Sequence, residues 1–244
     1  MNIVSIGGGE KDKAMRHALS VANNQNVLLV PSACSTEASY NKKVGLLVAY
    51  FQRFSIPDVQ ILHGYNETPS HSQIEDLVHS SGLAYVIGGN TPYMLDTIKS
   101  HGSDRQIAEA TKNGMVLSGT SAGAILPFHH GQVNPAKHPE AEAWDFEYVD
   151  GLGLIDATIG VHADKKDAVI NGHREKTRGE YLEESFAVID DTAIAVDEGA
   201  AVSVTDTGLH VITAHPKAKV RILQNDETPL LLGDNDTYEG IKAC

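Results

Sequence analysis

The fold that this sequence predicts is decided by the stretch MVLSGTSAGAI, residues 115–125. Its first three residues are apolar and predict a buried strand, and the five that follow are GTSAG. Small residues on both sides of Ser121 permit a sharp strand-to-helix turn that exposes the hydroxyl at its tip. There the backbone N–H of Ala122 faces a developing oxyanion, and a following helix adds its positive end. The pattern G-x-S-x-G thus indicates a nucleophile, although a plain glycine-rich turn has the same form.

Before this turn, short apolar runs alternate with segments of helical periodicity. This alternation with short loops predicts a parallel sheet with helices on both faces. The predicted strands are Asn2–Ile6, Asn26–Pro31, Val59–Leu62 and Leu83–Ile87. The predicted helices are Lys11–Asn23, Glu37–Phe54, Gln73–Ser80, Tyr93–Lys99 and Gln106–Lys112.

The second half of the chain has a different pattern. His129–Asp145 is polar and is expected to be irregular, and Lys165–Phe186 is expected to be mostly helical. Several short β-rich runs follow with a turn at 207–208, which favours antiparallel strands. We therefore predict an α/β fold with a mostly parallel central sheet and antiparallel strands in the C-terminal part. With no linker or repeat in view, residues 1–244 are expected to form one domain.

Composition excludes several classes of function. The 244 residues carry a net charge of −13, and no basic patch is evident that could offset phosphate repulsion, so no nucleic-acid partner is expected. No run of about 18 apolar residues suggests a membrane span, and the N-terminus lacks the pattern of a signal peptide. Cys34 and Cys244 do not form a disulfide framework. We expect a cytoplasmic protein, with Cys34 as a small buried residue.

A second glycine-rich loop, Gly88-Gly89-Asn90-Thr91, follows the strand that ends near Ile87. In a parallel sheet it lies on the same edge as the Ser121 turn, where such sheets bind ligands. The N–H of Gly89 can therefore be a second oxyanion donor. Asn90 or Thr91 can equally cap the next helix, and both roles are compatible.

Two residues further along could complete the chemistry of a serine nucleophile. His162 follows a predicted strand, which would fix its ring as a general base requires. Glu198 stands at a strand end before a glycine, as a presented carboxylate would. Each residue has an ordinary structural interpretation when taken alone. Arg178 belongs to a charged segment that is expected to face solvent, but one such cation could reach an anionic substrate.

Two other patterns are weaker. The run Gly7–Gly9 is too short for the dinucleotide fingerprint, so a tight turn is favoured over a phosphate cradle. His129, His130 and His138 lack the spacing of a zinc motif, so neither a metal nor another cofactor is predicted.

Four motifs occur in one order: 87-IGGNT-91, 119-GTSAGA-124, 151-GLGL-154 leading to His162, and 197-DEG-199. Over about residues 1–213 this set resembles the dipeptidase E and cyanophycinase peptidases, family S51, whose fold is related to class I glutamine amidotransferases. The resemblance implies Ser121 as the nucleophile, His162 as the base and Glu198 as its acid. It also implies oxyanion donors at Gly89 and Ala122, and it places Arg178 near an arginine that reads an acidic N-terminal residue. Asn90 is a second candidate for binding substrate.

The sequence departs from this family at two places. Many members carry an acid in the loop after the nucleophile, where this chain has Asn134. The acid that orients His162 is then either Glu198 or one of three loop carboxylates, Glu140, Glu142 and Asp145. If none of them serves, activity is impaired. Val161-His162-Ala163 also replaces the usual aromatic pattern around the histidine, which bears on substrate preference.

Three functions follow from these residues. The leading hypothesis is a serine dipeptidase that hydrolyses short peptides, acting as a monomer or homodimer. An α/β-hydrolase-type esterase would need His210 or His215 as its base, since those enzymes order their triad as serine, acid, histidine. The third possibility is a catalytically impaired amidotransferase-like binding protein.

Overall fold

A computed structural model of the protein describes residues 1–56, 58–133, 146–166, 176–185, 192–224 and 227–244. The helices of this part are α1 (Asp12–Val21), α2 (Glu37–Gln52), α3 (His71–Ser80), α4 (Thr91–His101), α5 (Ser103–Lys112), α6 (Ala122–Ile125) and α7 (Arg178–Ser185). The strands up to the middle of the chain are β1 (Asn2–Ile6), β2 (Val27–Val30), β3 (Val59–Ile61), β4 (Leu83–Val86), β5 (Val116–Thr120), β6 (Phe128–Val133) and β7 (Glu147–Asp150). The remaining strands are β8 (Ile155–Val161), β9 (Thr192–Val196), β10 (Ala200–Thr205), β11 (Gly208–Thr213), β12 (Val220–Gln224), β13 (Leu230–Leu232) and β14 (Thr237–Tyr238).

The first sheet has the order β14-β11-β10-β1-β5-β4-β2-β3. Its half from β1 to β3 is parallel, and β10, β11 and β14 add antiparallel strands beside β1. The two halves meet where Ile6 of β1 lies opposite Ala201 of β10. This arrangement confirms the predicted α/β fold, with its parallel strands early and its antiparallel strands late in the chain.

Helices cover both faces of this sheet, as the apolar periodicity predicts. On one face, α1 and α2 pack their buried residues, including Met15 and Phe51, against Val4 and Leu29. On the other face, α3, α4 and α5 pack into a larger apolar cluster that also includes strands of a second sheet. Burial of these side chains supplies the main stabilisation of the layers, at roughly 25 cal/mol per Å² of apolar surface removed from water.

The second sheet, in the order β13-β12-β9-β8-β6-β7, corrects one prediction. Residues 129–133, expected to be irregular, belong to β6, which pairs with β7 and β8. The sequence FHHGQV hides the strand because Phe128 and Val133 are its only large apolar residues, and its backbone is satisfied by both neighbouring strands. Residues 134–145 lie outside the described part of the chain.

Two helical segments of the second half differ from what the sequence suggests. The helix after Ser121 is the four-residue α6, so it contributes little dipole. Lys165 and Lys166, predicted to begin a long helix, are not helical; they follow a turn after β8 that the N–H of Lys165 closes by donating to the carbonyl of His162. Of the described residues in this segment, Arg178–Ser185 are helical, and residues 167–175 and 186 are outside the described ranges. Among the described residues, no helix is long and apolar enough to cross a membrane.

Candidate active site

The Ser121 turn has the backbone geometry of a strained strand-to-helix junction. Ser121 has φ 57° and ψ −116°, a conformation that costs about 1–3 kcal/mol and needs support from its surroundings. Its N–H donates to the carbonyl of Ile6 at 3.1 Å. A Cβ at Gly119 would lie 2.4 Å from the backbone of Gly123, and one at Gly123 would lie 2.2 Å from the carbonyl oxygen of Val86. Both glycines of the motif are therefore required by close backbone approach.

His162 lies directly after β8, and its ring reaches Ser121. The ring Nε2 is 2.9 Å from Ser121 Oγ, and Nδ1 is 3.0 Å from Glu198 Oε1. The backbone of His162 has φ 56°, and its N–H donates to the carbonyl of Gly7 at 3.2 Å. This bond ties the second sheet to the end of β1 in the first, and it fixes the ring opposite the serine.

Glu198 follows β9 and is held at three points. One carboxylate oxygen contacts His162, and the other, Oε2, is 2.9 Å from Lys165 Nζ. Its backbone N–H donates to Asp164 Oδ1 at 2.8 Å. Burial alone would raise the pKa of Glu198, but the hydrogen bonds with Lys165 and His162 outweigh it and hold the pKa below its usual value. The carboxylate is therefore ionised at neutral pH.

The electrostatic state of His162 follows from two opposing effects. Burial lowers the pKa of the imidazole, and the positive charge of Arg178 acts in the same direction. The hydrogen bond and the negative charge of Glu198 raise the pKa, but the net shift is downward. The ring is thus neutral at physiological pH, with a nitrogen able to accept a proton from the serine.

Gly89 and Ala122, the residues predicted to supply two backbone N–H groups, line the same cavity as Ser121. Neither N–H group has a hydrogen-bond partner among the described residues. The Gly88–Gly89 turn is fixed from behind, since the N–H of Asn90 donates to the carbonyl of Ala33 at 3.0 Å. A Cβ on Gly89 would lie 2.2 Å from that same carbonyl oxygen. The Asn90 side chain accepts a hydrogen bond from the N–H of Tyr93 and so caps α4, which is one of the two roles predicted for it.

These groups open into one cavity of about 850 Å³. Its lining includes every sequence-predicted site residue: Gly89, Asn90, Ser121, Ala122, His162, Arg178 and Glu198. Lys165 and Lys166 also line it, so the cavity has a basic wall in an acidic chain. Such a wall attracts anionic groups locally, whatever the net charge of the protein.

The match to family models covers most of the chain. The model of peptidase family S51 matches residues 3–212. The chain belongs to peptidase family S51. It is 25% identical over 196 residues to the uncharacterised peptidase YgaJ of Bacillus subtilis strain 168, which covers 79% of this chain and 81% of that relative. An uncharacterised peptidase of Listeria monocytogenes is 28% identical over 95 residues, covering 39% of this chain and 46% of the relative.

Solved structures share the architecture of this S51 peptidase. A crystal structure of a peptidase from an acI-B1 actinobacterium aligns with a TM-score of 0.74 at 20% identity, covering 98% of this chain and 96% of that one. A putative peptidase E protein from Listeria monocytogenes aligns with a TM-score of 0.58 at 16% identity, covering 88% and 98%. The fold is therefore class I glutamine amidotransferase-like.

Several alternatives from the sequence are not brought to this site. His215 accepts a hydrogen bond from the N–H of Ala218, and His210 lies on β11, two strands from β1. The imidazole within hydrogen-bond distance of Ser121 Oγ in the described structure is that of His162. Cys34 is buried, as expected, and burial raises the pKa of its thiol. The alternative acids Glu140, Glu142 and Asp145, together with Asn134 and His138, lie outside the described residues.

Sequence reasoning missed two contributors to the S51 peptidase site. A Cβ on Gly8 would lie 2.4 Å from Cε1 of His162, and Gly8 has φ 144°. The glycine run after β1 therefore does more than form a tight turn, because Gly8 leaves room for the His162 ring. The run itself was the available signal. Lys165, which contacts Glu198, had no such signal, because a lysine in a charged segment is usually solvated.

Proposed function

We propose that this S51 peptidase is a serine dipeptidase that uses Ser121, His162 and Glu198. The observation that carries the proposal is the hydrogen-bonded series from Ser121 Oγ through the His162 ring to Glu198 Oε1. A nucleophile, a base and a group that orients the base are the three elements of activated nucleophilic catalysis. In the chain they occur in the order serine, histidine, acid, which differs from the order of α/β-hydrolases.

In the proposed reaction, Ser121 Oγ attacks the peptide carbonyl carbon while its proton passes to Nε2 of His162. The C–O bond forms as the carbonyl becomes an oxyanion, which accepts hydrogen bonds from the N–H groups of Gly89 and Ala122. The oxyanion then collapses, the C–N bond breaks, and the leaving amine takes the proton from Nε2. Water repeats the sequence: it gives a proton to Nε2, attacks the ester carbonyl, and Ser121 Oγ leaves with that proton.

Glu198 has two functions in this scheme. Its Oε1 accepts from Nδ1–H and so leaves Nε2 as the basic nitrogen that faces the serine. Its negative charge also stabilises the imidazolium that forms when Ser121 is deprotonated. The depressed pKa of Glu198 keeps that charge present at neutral and mildly acidic pH.

The proposed substrates are short peptides, with preference for an acidic N-terminal residue. A cavity of about 850 Å³ accommodates a small molecule or a short peptide. Arg178 and Lys166 line it beside the three proposed catalytic residues, and a guanidinium matches a carboxylate bidentately. Asn90 also lines the cavity; because its Oδ1 caps α4, its side-chain Nδ2–H is the group offered to the substrate backbone.

The test compares wild type with Ser121→Ala on a dipeptide library that includes acidic N-terminal residues. Hydrolysis by Ser121→Ala should fall at least about 10³-fold, in line with removal of a triad nucleophile. Undiminished hydrolysis would refute the assignment. A fluorophosphonate probe should label wild type and not Ser121→Ala, and a folded wild type that resists labelling would instead support a binding protein without activity. If His215→Ala abolishes ester hydrolysis while His162→Ala is silent, the esterase is the correct alternative.

A further inference from the structure

A second cavity lies behind the Gly88–Gly89 turn, on the other face of the first sheet. It has a volume of about 340 Å³ and lies between Lys11, which precedes α1, helix α2 and the carboxyl ends of β4 and β5. It shares no lining residue with the cavity that contains Ser121. Its walls include Leu46, Leu47, Tyr50 and Ile87, so most of its surface is hydrophobic.

Two ammonium groups face this apolar space. Lys11 Nζ donates to Tyr85 Oη at 3.1 Å, and Lys43 Nζ donates to the carbonyl oxygen of Gly88 at 2.6 Å. Both lysines are half-buried. Neither makes an ion pair with any residue in the described ranges, and no carboxylate lines the cavity.

The recorded partners of both ammonium groups are neutral, and for Lys11 they include the rings of Tyr50 and Tyr85, whose centroids are 5.0 and 5.2 Å from Nζ. Water screens charges less where its access is reduced, and each ammonium retains donor capacity beyond its one hydrogen bond. One anion in contact with both lysines would give each ammonium a charged partner. It would form charge-assisted hydrogen bonds, which are about twice as strong as neutral ones.

The apolar wall specifies the rest of the ligand. Leu46 is 62% exposed although it is a leucine on the rim of this cavity. Covering that side chain would remove apolar surface from water, which is favourable. The ligand therefore combines one carboxylate with an aliphatic or aromatic tail. An α-ammonium group would meet the two lysines with like charge, which disfavours free amino acids.

We infer that this cavity is a second binding site, for a small carboxylic acid with an apolar tail. The carboxylate lies between Lys11 and Lys43, and the tail lies on Leu46 and Tyr50. Because Lys43 also holds the carbonyl of Gly88, an occupant shares the ammonium that supports the Gly88–Gly89 turn. The site therefore shares a contact with the Gly88–Gly89 turn without being part of the cavity around Ser121.

The experiment measures binding and needs no turnover, so it stands apart from the proposed peptidase chemistry. Octanoate is titrated into the full-length protein by calorimetry, and into ¹⁵N-labelled protein by amide NMR. We expect saturable binding, with amide shifts at residues 43–50, 87–89 and 120. Octanamide, which has the same tail and no charge, should bind at least about tenfold more weakly.

Matched variants locate the site. Lys43→Met and Leu46→Asp should each weaken octanoate binding at least about tenfold, and Leu46 is an exposed position outside the core. Lys42→Met, an exposed neighbour on α2 outside the cavity, should bind as wild type does. Equal binding of octanoate by wild type, Lys43→Met and Leu46→Asp would overturn the inference. So would shifts confined to the Ser121 cavity, equal binding of octanamide, or no saturable binding.

Discussion

Lys165 Nζ lies 2.9 Å from Glu198 Oε2, so the carboxylate that contacts His162 through one oxygen contacts an ammonium through the other. Each carboxylate oxygen of Glu198 therefore has a partner, and the two contacts fix the carboxylate in one orientation. The hydrogen bond with Glu198 also raises the pKa of Lys165, which keeps the ammonium charged. The cation thus orients the proposed catalytic acid without touching the serine or the histidine.

Replacing Lys165 should lower turnover moderately through Glu198. Because exposed ion pairs are weak, Lys165→Met is expected to reduce kcat about three- to tenfold. The decisive measurement is a double-mutant cycle with Glu198→Gln: the loss should disappear in the Glu198→Gln background. Lys166→Met removes a neighbouring charge from the same cavity. Any change that it makes to kcat should be the same in the wild-type and Glu198→Gln backgrounds. Equal losses from Lys165→Met in both backgrounds would show that it acts elsewhere.

The pH profile should report the state of His162. The pKa of His162 lies below that of an ordinary histidine. The imidazole therefore remains mostly neutral at a pH at which an ordinary histidine becomes protonated. The acid limb of kcat/KM is therefore expected on the acidic side of the ordinary histidine pKa. Glu198 raises the pKa of His162, so Glu198→Gln should move the limb to still lower pH while kcat falls about 10⁴-fold. A limb that moves to higher pH in Glu198→Gln would contradict this assignment.

Gly8→Ala should displace the His162 ring. The new Cβ would start 2.4 Å from Cε1 of that ring, at a backbone angle that alanine rarely adopts. A displacement of about 1 Å at a catalytic group can cost about 10²-fold in rate, so kcat should fall by about that factor. Labelling of Ser121 by fluorophosphonate should slow in parallel. Full activity in a folded Gly8→Ala protein would show that the ring does not need this space.

Gly45→Ala is the matched control for a glycine substitution. Gly45 lies in α2, and a Cβ there meets nothing within 4 Å. Alanine in a helix interior is more stable than glycine by roughly 0.5–1 kcal/mol. Chemical denaturation should therefore show a higher free energy of unfolding, with kcat unchanged. A lower free energy would mean that α2 requires glycine for a reason other than space.

Arg178→Met should change substrate preference rather than chemistry. A hydrogen bond to a charged group is worth about 1.5–3 kcal/mol, which corresponds to about 10- to 100-fold in kcat/KM. We expect this loss for dipeptides with an N-terminal aspartate and little change for matched dipeptides with an N-terminal alanine. If both substrates lose equally, Arg178 supports the fold of the cavity and does not read the acidic residue.

The sequence by itself determined the local structures of this protein, those formed by residues close together in the chain. The apolar run that forms β5 and the glycines around Ser121 specify the turn, because only small residues permit that backbone approach. The same reasoning placed Gly89 on the neighbouring loop, since parallel strands β4 and β5 end at one edge. Periodicity similarly placed α2 with Val44, Leu47 and Phe51 buried.

Only the tertiary structure decided which groups meet His162. Glu198 is 36 residues away in sequence, and it reaches the ring because parallel strands β8 and β9 are neighbours in the second sheet. Lys165 and Gly8 enter for the same reason, since the end of β1 and the turn after β8 meet where the two sheets join. Periodicity records which face of an element is buried but not which strand lies beside it. Pairing between distant strands, and the contacts that follow from it, therefore had to come from the folded chain.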